Sequence, residues 1–185
     1  MIEIRIHGRG GQGAVLASQV LSYAYFLEGY YSQSFPSFGA ERRGAPVSAF
    51  VRASDCFIND RYEVISPDYV LVLSSKLAEI IDVASGLKDN GIVFINSDNN
   101  NNIPKTLKNV RVVTSNVTAI ALENRLGSPL MPIVNVPILG VFSKCIGVPQ
   151  LDSLIKAIPK FIPFNIDRNI SAIKCAYEQA ELLSV

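Results

Sequence analysis

The residues best suited to chemistry stand near the start of the chain, in His7-Gly-Arg-Gly-Gly-Gln-Gly13. Gly8, Gly10 and Gly13 satisfy the spacing G-x-G-x-x-G, with Gly11 between them. Glycines let a backbone turn sharply and leave its N–H groups bare. Where such a turn opens a helix, those groups and the positive end of the helix dipole make a seat for an anion, phosphate being the usual one. Gly8, Arg9, Gly10, Gly11, Gln12 and Gly13 are therefore the candidate binding residues. His7 has the chemistry of a general base, but it is the chain's one histidine and no Ser/His/Asp or Cys/His constellation stands out around it. No carboxylate pair stands out either, so no catalytic residue is expected in this chain.

A second group lies in Phe35-Pro-Ser-Phe-Gly-Ala-Glu-Arg-Arg-Gly-Ala-Pro46. Arg42 and Arg43 can grip a phosphate or carboxylate through paired N–H donors. Arginine beside Phe35 and Phe38 is equally the composition of a subunit interface. Both uses stay open on composition.

The glycine spacing alone does not make a dinucleotide site. Such a site also wants an acid at the end of the second strand, roughly 20 residues on. Here that strand runs into Tyr31-Ser-Gln-Ser-Phe35, and Glu28 precedes it. This argues against NAD or FAD. A P-loop needs Lys-Ser/Thr after its last glycine, and Ala14-Val15 stands there instead. What remains is a tight turn packing helix on sheet, or a phosphate or backbone-contact site of another kind.

The elements that must position these residues follow from periodicity. Ile2, Ile4 and Ile6 alternate with Glu3 and Arg5, which predicts a short strand before the glycines. Ala14–Phe26 predicts a largely buried helix stopped at Gly29, with Tyr30–Gln33 as a second short strand. Residues 34–46 are irregular, 47–52 are a strand, and 58–62 are a short edge pairing. The apolar runs Tyr69–Leu73 and Ile92–Asn96 fit central strands covered on both faces. A helix is expected over Lys76–Ser85, a solvated polar turn over 98–102, a strand over 110–114, and a helix over 117–126 ended by Gly127. Pro129–Pro132 reads as a loop. Residues 136–146 predict a buried helix that allows close approach at Gly140, 151–161 a helix broken at Pro159, and 167–183 a final helix. The expected fold is a single domain over residues 1–185: a three-layer α/β/α, Rossmann-like variant with a mixed, mostly parallel sheet.

Composition narrows the functional classes. The 185 residues are 49% hydrophobic and 18% charged, with a net charge of +1. Coating nucleic acid needs a concentrated basic surface, so no nucleic-acid partner is expected. Cys56, Cys145 and Cys175 are widely separated and form no CxxC or Cys/His ligand spacing, so neither a zinc site nor an iron–sulfur cluster is expected. No signal pattern and no apolar run of about 18 residues stands out. A cytoplasmic protein with no membrane partner is expected.

Taken together, Ile6–Ala14, Phe35–Pro46 and Pro67-Asp-Tyr-Val70 resemble the gamma subunit of pyruvate:ferredoxin oxidoreductase and its branched-chain relatives. Asn135-Val-Pro-Ile-Leu-Gly140 and Asn169–Tyr177 look like the family's later segments, so the resemblance spans the chain. One departure is Ser74-Ser75, where many relatives carry an acid directly after the strand. The resemblance implies a complex that decarboxylates a 2-oxoacid, pyruvate before others, with coenzyme A accepting the acyl group as acetyl-CoA and ferredoxin or flavodoxin taking the electrons. Thiamine diphosphate, Mg and the iron–sulfur clusters would sit in alpha, beta and delta partner subunits, with none held by this chain, which would not be active alone. It further implies that the Gly8–Gly13 turn, with Arg9, Arg42 or Arg43, contacts coenzyme A. The alternatives are a purely structural subunit docked through Arg42-Arg43, a branched-chain or 2-oxoglutarate paralogue, and a stand-alone nucleotide-dependent oxidoreductase.

Overall fold

The first strand sets the architecture because its alternation serves two different faces. In a computed structural model, which describes residues 1–37, 45–98, 104 and 107–180, β1 runs over Ile2–Arg9. Ile4 and Ile6 point to one face and are fully buried; Glu3, Arg5 and His7 point to the other. On one side β1 pairs antiparallel with β3 (Pro46–Ser54), which pairs with the edge strand β2 (Tyr31–Pro36). On the other side it pairs in parallel with β4 (Tyr69–Val72), followed by β5 (Ile92–Asn96) and β6 (Arg111–Ser115). The sheet order is β2-β3-β1-β4-β5-β6. The mixed, largely parallel α/β sheet expected from the sequence is borne out.

The first face carries the larger core. Helix α1 (Ala14–Leu27) lays Ala17, Val20, Leu21 and Ala24 over β2 and β3, all fully buried. Gly29 ends it at φ 89, a conformation that suits glycine. Helices α3 (Val117–Glu123), α4 (Pro137–Ile146), α5 (Leu151–Phe161) and α6 (Ile166–Gln179) complete this layer. Phe142 of α4 meets Tyr69 and Phe94 edge-on, with ring centroids 5.4 and 5.3 Å away. Close approach at Gly140 is also found: a Cβ there would lie 2.3 Å from the Ile173 carbonyl oxygen of α6.

The second face is covered differently. Among the described residues its only helix is the single turn α2 (Ser75–Ala78); the rest of the cover is coil. Arg52 is fully buried and fastens one coil segment. Its Nε donates to Glu3 at 3.0 Å, its guanidinium donates to the Tyr62 and Glu63 carbonyls, and it stacks on the Tyr62 ring at 4.8 Å. Arg5 donates to the Val64, Val83 and Ser85 carbonyls and so fastens both coil segments to β1.

Several expectations are corrected. The helix expected over Lys76–Ser85 lasts one turn, because Asp82 accepts from the Ala84 N–H and Arg5 takes the Val83 and Ser85 carbonyls. Residues 58–62 form no strand; Gln33 and Arg52 hold them by donating to the Asp60 and Tyr62 carbonyls. Helix α5 continues through Pro159, where buried Leu154, Ala157 and Ile158 keep its inner face in place. Helix α3 stops at Glu123, short of Gly127. Gly127-Ser128 (β7) then pairs with Met131-Pro132 (β8), a small hairpin in place of the expected loop. Helix α6 ends at Gln179, and residues 99–102 and 181–183 of the expected turn and helix lie outside the described residues. Among the described residues no helix is long and apolar enough to cross a membrane.

Because Arg52 satisfies Glu3 and two backbone carbonyls at once, Arg52→Met should lower the unfolding free energy by about 3 kcal/mol. Urea denaturation followed by circular dichroism checks this; an unmoved midpoint would show that the coil cover does not depend on the guanidinium.

Candidate functional site

The expected strand–glycine–helix unit forms, but the turn begins two residues later than the first glycine. Gly8 and Arg9 extend β1 opposite Val47 and Pro46. A Cβ on Gly8 would meet Leu73 at 3.1 Å and Ala14 at 3.2 Å, so this glycine brings helix and sheet together. The turn proper is Gly10–Gly13. The Gly10 N–H donates to the Ala45 carbonyl at 2.9 Å, which ties the turn to the start of β3. Gln12 closes the turn twice: its N–H donates to the Arg9 carbonyl and its Oε1 accepts from the Arg9 N–H, both at 2.8 Å. Gly11 and Gly13 take φ values of 94° and 80°, in the left-handed region.

Gly13 is also the N-cap of α1. No side chain caps that end, and no acid occupies its first turn. The first intrahelical bond runs from the Ala17 N–H to the Gly13 carbonyl at 2.9 Å, which leaves the preceding N–H groups for another acceptor. They border a cleft of about 830 Å³. Arg9–Gly13 form one wall, Leu73, Ser74 and Lys76 a second, and Leu130–Asn135 a third. The cleft lies outside the carboxyl ends of β1, β4 and β5. There the chain departs to opposite sides of β1, the place where open α/β sheets bind ligands. A smaller pocket of about 410 Å³ adjoins it and shares Ser74, Lys76, Asn96 and Thr118.

Two buried amides shape the floor. Asn96 donates to the Leu73 carbonyl at 3.0 Å and to Thr118 Oγ1 at 2.9 Å, and accepts from the Thr118 N–H at 3.2 Å. It stitches β4, β5 and α3 together. Asn135 is 2% exposed, and a Cβ on Gly13 would lie 2.6 Å from its Nδ2. Its Oδ1 has no hydrogen-bond partner among the described residues. Both amides escaped the sequence reading of site residues. The available signal was a lone polar residue in an apolar run, Val134-Asn135-Val136 and Phe94-Ile95-Asn96.

Of the other candidates, Arg42 and Arg43 lie outside the described residues. His7 stands away from the cleft, on the second face of the sheet. Its Nδ1 lies 3.1 Å from Ser48 Oγ, and its Nε2 has no partner among the described residues. Burial first, and then the Arg5 charge, lower its pKa to about 4, so the ring is neutral at physiological pH. Among the described residues Cys56, Cys145 and Cys175 form no disulfide. Among the described residues no three His, Cys, Asp or Glu side chains converge where they could hold a metal.

Several known proteins resemble this chain in sequence and fold. Residues 3–179 match the family described as pyruvate ferredoxin/flavodoxin oxidoreductase. The pyruvate synthase subunit PorC of Methanothermobacter marburgensis is 50% identical over 97% of either chain. The pyruvate/ketoisovalerate oxidoreductases common subunit gamma of Pyrococcus furiosus is 42% identical over the full length of both. The crystal structure of pyruvate oxidoreductase subunit PORC from Thermotoga maritima superposes with a TM-score of 0.79 at 34% identity, covering 96% of this chain and 95% of that one. A 2-oxoglutarate:ferredoxin oxidoreductase from Magnetococcus marinus, solved with 2-oxoglutarate, coenzyme A and succinyl-CoA bound, contains the same fold. Its TM-score is 0.76 at 16% identity, over 98% of this chain and 32% of that one.

The His7 environment gives a pH dependence whose sign is fixed. Unfolding restores an ordinary histidine with a pKa near ~6.5, so between that value and about 4 the unfolded chain binds more protons. Stability is therefore complete above that window and falls as the pH drops through it. Between pH ~7.5 and ~4.5 the loss from this group should be about 3 kcal/mol. Urea midpoints at the two pH values should show it, and His7→Gln should remove that part of the loss. An equal loss in the variant would contradict the assignment.

Proposed function

The chain belongs to the pyruvate ferredoxin/flavodoxin oxidoreductase family, as the gamma subunit of a 2-oxoacid:ferredoxin oxidoreductase complex, and from that premise we propose that its cleft helps to bind coenzyme A. The activity belongs to the complex, which passes electrons to ferredoxin or flavodoxin. The observation that carries the proposal is the uncapped N-terminus of α1, opening into one cleft beside a buried amide whose Oδ1 has no hydrogen-bond partner among the described residues.

The residues present fit this ligand. The backbone N–H groups of Gly11, Gly13 and the first turn of α1 suit a pyrophosphate, and the helix dipole favours its charge. Arg9 stands at the mouth of the turn. Leu16, Leu130, Met131 and Ile133 offer an apolar wall to a flexible arm. The free Asn135 Oδ1 is an acceptor waiting for an N–H or O–H donor, and coenzyme A carries amide N–H groups along that arm. Bound coenzyme A supplies the thiol that takes up the acyl group. The role of this chain is to hold and orient it.

Arg42 and Arg43 are the proposed further phosphate contacts, on sequence grounds and because Ala45, two positions after Arg43, is bonded to Gly10. Among the described residues no three His, Cys, Asp or Glu side chains converge where they could hold a metal. Thiamine diphosphate, Mg and the iron–sulfur clusters are accordingly assigned to alpha, beta and delta partners, and the chain acts as a single gamma domain in the cytoplasm. Pyruvate is the proposed 2-oxoacid, with acetyl-CoA and CO2 as products; the pyruvate synthase relatives support this choice. Assembly is the second contribution proposed. Leu130 is 93% exposed on the hairpin beside the cleft, and Phe57 and Ile65 are 69% exposed on the other side of the sheet.

The test separates charge from backbone strain. A Cβ on Gly11 meets nothing within 4 Å, but φ 94 strains any side chain. Gly11→Asn and Gly11→Asp carry similar strain, and only the second adds a negative charge. In the assembled oxidoreductase, Gly11→Asp should raise KM for coenzyme A about tenfold above that of Gly11→Asn, with thiamine diphosphate retention equal in both. Equal KM values would overturn the proposal.

A further inference from the structure

We propose that Ser74, Ser75 and Lys76 read the 3′-phosphate of coenzyme A, so that this chain sets the preference of the complex for coenzyme A over its dephosphorylated form. The inference rests on the coenzyme A reading of the cleft and extends it to a residue that chooses between ligands.

The site has two lobes. The larger lobe combines the glycine turn with an apolar wall, suited to a pyrophosphate and an arm of methylenes and amides. The adjoining lobe is polar: Ser74, Ser75, Asn96, Ser97, Asn116 and Thr118 contribute to it, together with Lys76 and Asp98. Ser74 and Lys76 line both lobes, so one molecule occupying the first can extend past them into the second. Coenzyme A divides in the same way, its pyrophosphate lying between an apolar-tolerant arm and a phosphorylated ribose with adenine.

Within the polar lobe three side chains are already committed. Asn96 and Thr118 bond one another, and Asn116 accepts from the Ala119 N–H. Ser74 precedes the single turn of α2 in extended conformation, yet its hydroxyl does not cap that turn. No hydrogen bond or ion pair engages the Ser74 or Ser75 hydroxyl or the Lys76 ammonium among the described residues. Two hydroxyls and one ammonium on consecutive residues, uncommitted among the described residues and at the carboxyl end of the strand parallel to β1, form a donor set for a phosphate monoester. The logic parallels dinucleotide sites, where an acid near the ribose takes a hydroxyl and a cation takes a phosphate. Asp98, the lobe's carboxylate, only accepts hydrogen bonds, and so serves a ribose hydroxyl or the adenine amino group.

The experiment compares coenzyme A with dephospho-coenzyme A in the assembled oxidoreductase. Charge-assisted hydrogen bonds of this kind change binding by roughly tenfold or more. The native complex should favour coenzyme A in kcat/KM, Lys76→Ala should cut that ratio about tenfold, and Lys76→Arg should keep most of it. A ratio left intact by Lys76→Ala, or one lost equally in Lys76→Arg, would overturn the assignment. Failure here is distinct from failure of the coenzyme A reading. If Gly11→Asp raises KM for coenzyme A while Lys76→Ala leaves the ratio alone, the cleft still binds coenzyme A and Lys76 does not read its phosphate. If neither variant acts, both readings fall.

Discussion

Everything at the site depends on the close approach of Asn135 to the backbone of Gly13. A Cβ would place carbon 2.6 Å from the Asn135 amide nitrogen, a distance no side chain tolerates. Removing that one atom lets the segment before α4 close on the start of α1, and Pro137 then launches α4 across the sheet. The same residue supplies the left-handed turn that frees the first N–H groups of α1. Close packing and an anion seat are thus one constraint, met by one glycine. A tight turn that packs helix on sheet and a phosphate-ready turn coexist here, although the sequence presents them as alternatives.

The rest of the sheet supports this arrangement unevenly. The first face has five helices and an aromatic contact among Tyr69, Phe94 and Phe142. On the second face two arginines do what helices do elsewhere, binding coil carbonyls to β1 and β3. Buried guanidinium groups are costly unless fully bonded. Arg52 meets that condition through Glu3, two carbonyls and two aromatic rings. Arg5 makes three carbonyl bonds, and its charge helps to hold His7 neutral. Strand β1 therefore carries the core on one side and a polar clamp on the other, and delivers its carboxyl end rigidly to the cleft.

Much of this was legible in the residues. Alternation at Ile2–Ile6, helical spacing in α1 and the apolar runs of β4 and β5 announced the sheet and its main helix, because each pattern reflects burial that only one local geometry can satisfy. Gly8–Gly13 announced the turn. Long-range bonds were not legible. Nothing near Asp82 in the sequence shows that Arg5, nearly eighty positions away, takes the carbonyls a longer α2 would use. Pro159 looked like a break because local propensity ignores the buried face beneath it. Asn96 and Asn135 were hidden for the same reason, since a polar residue in an apolar run gains its meaning from partners that only the fold assembles.

The central claim is that the Gly10–Gly13 turn and the start of α1 hold the phosphates of coenzyme A. The most direct measurement is a structure of the assembled oxidoreductase with coenzyme A bound. The expected result is pyrophosphate oxygens at ordinary hydrogen-bond distance, about 3 Å, from the backbone N–H groups of Gly11, Gly13 and the first turn of α1, with the arm lying along Leu16 and Met131. Coenzyme A bound with its phosphates elsewhere, and this cleft filled by a side chain of another subunit, would contradict it.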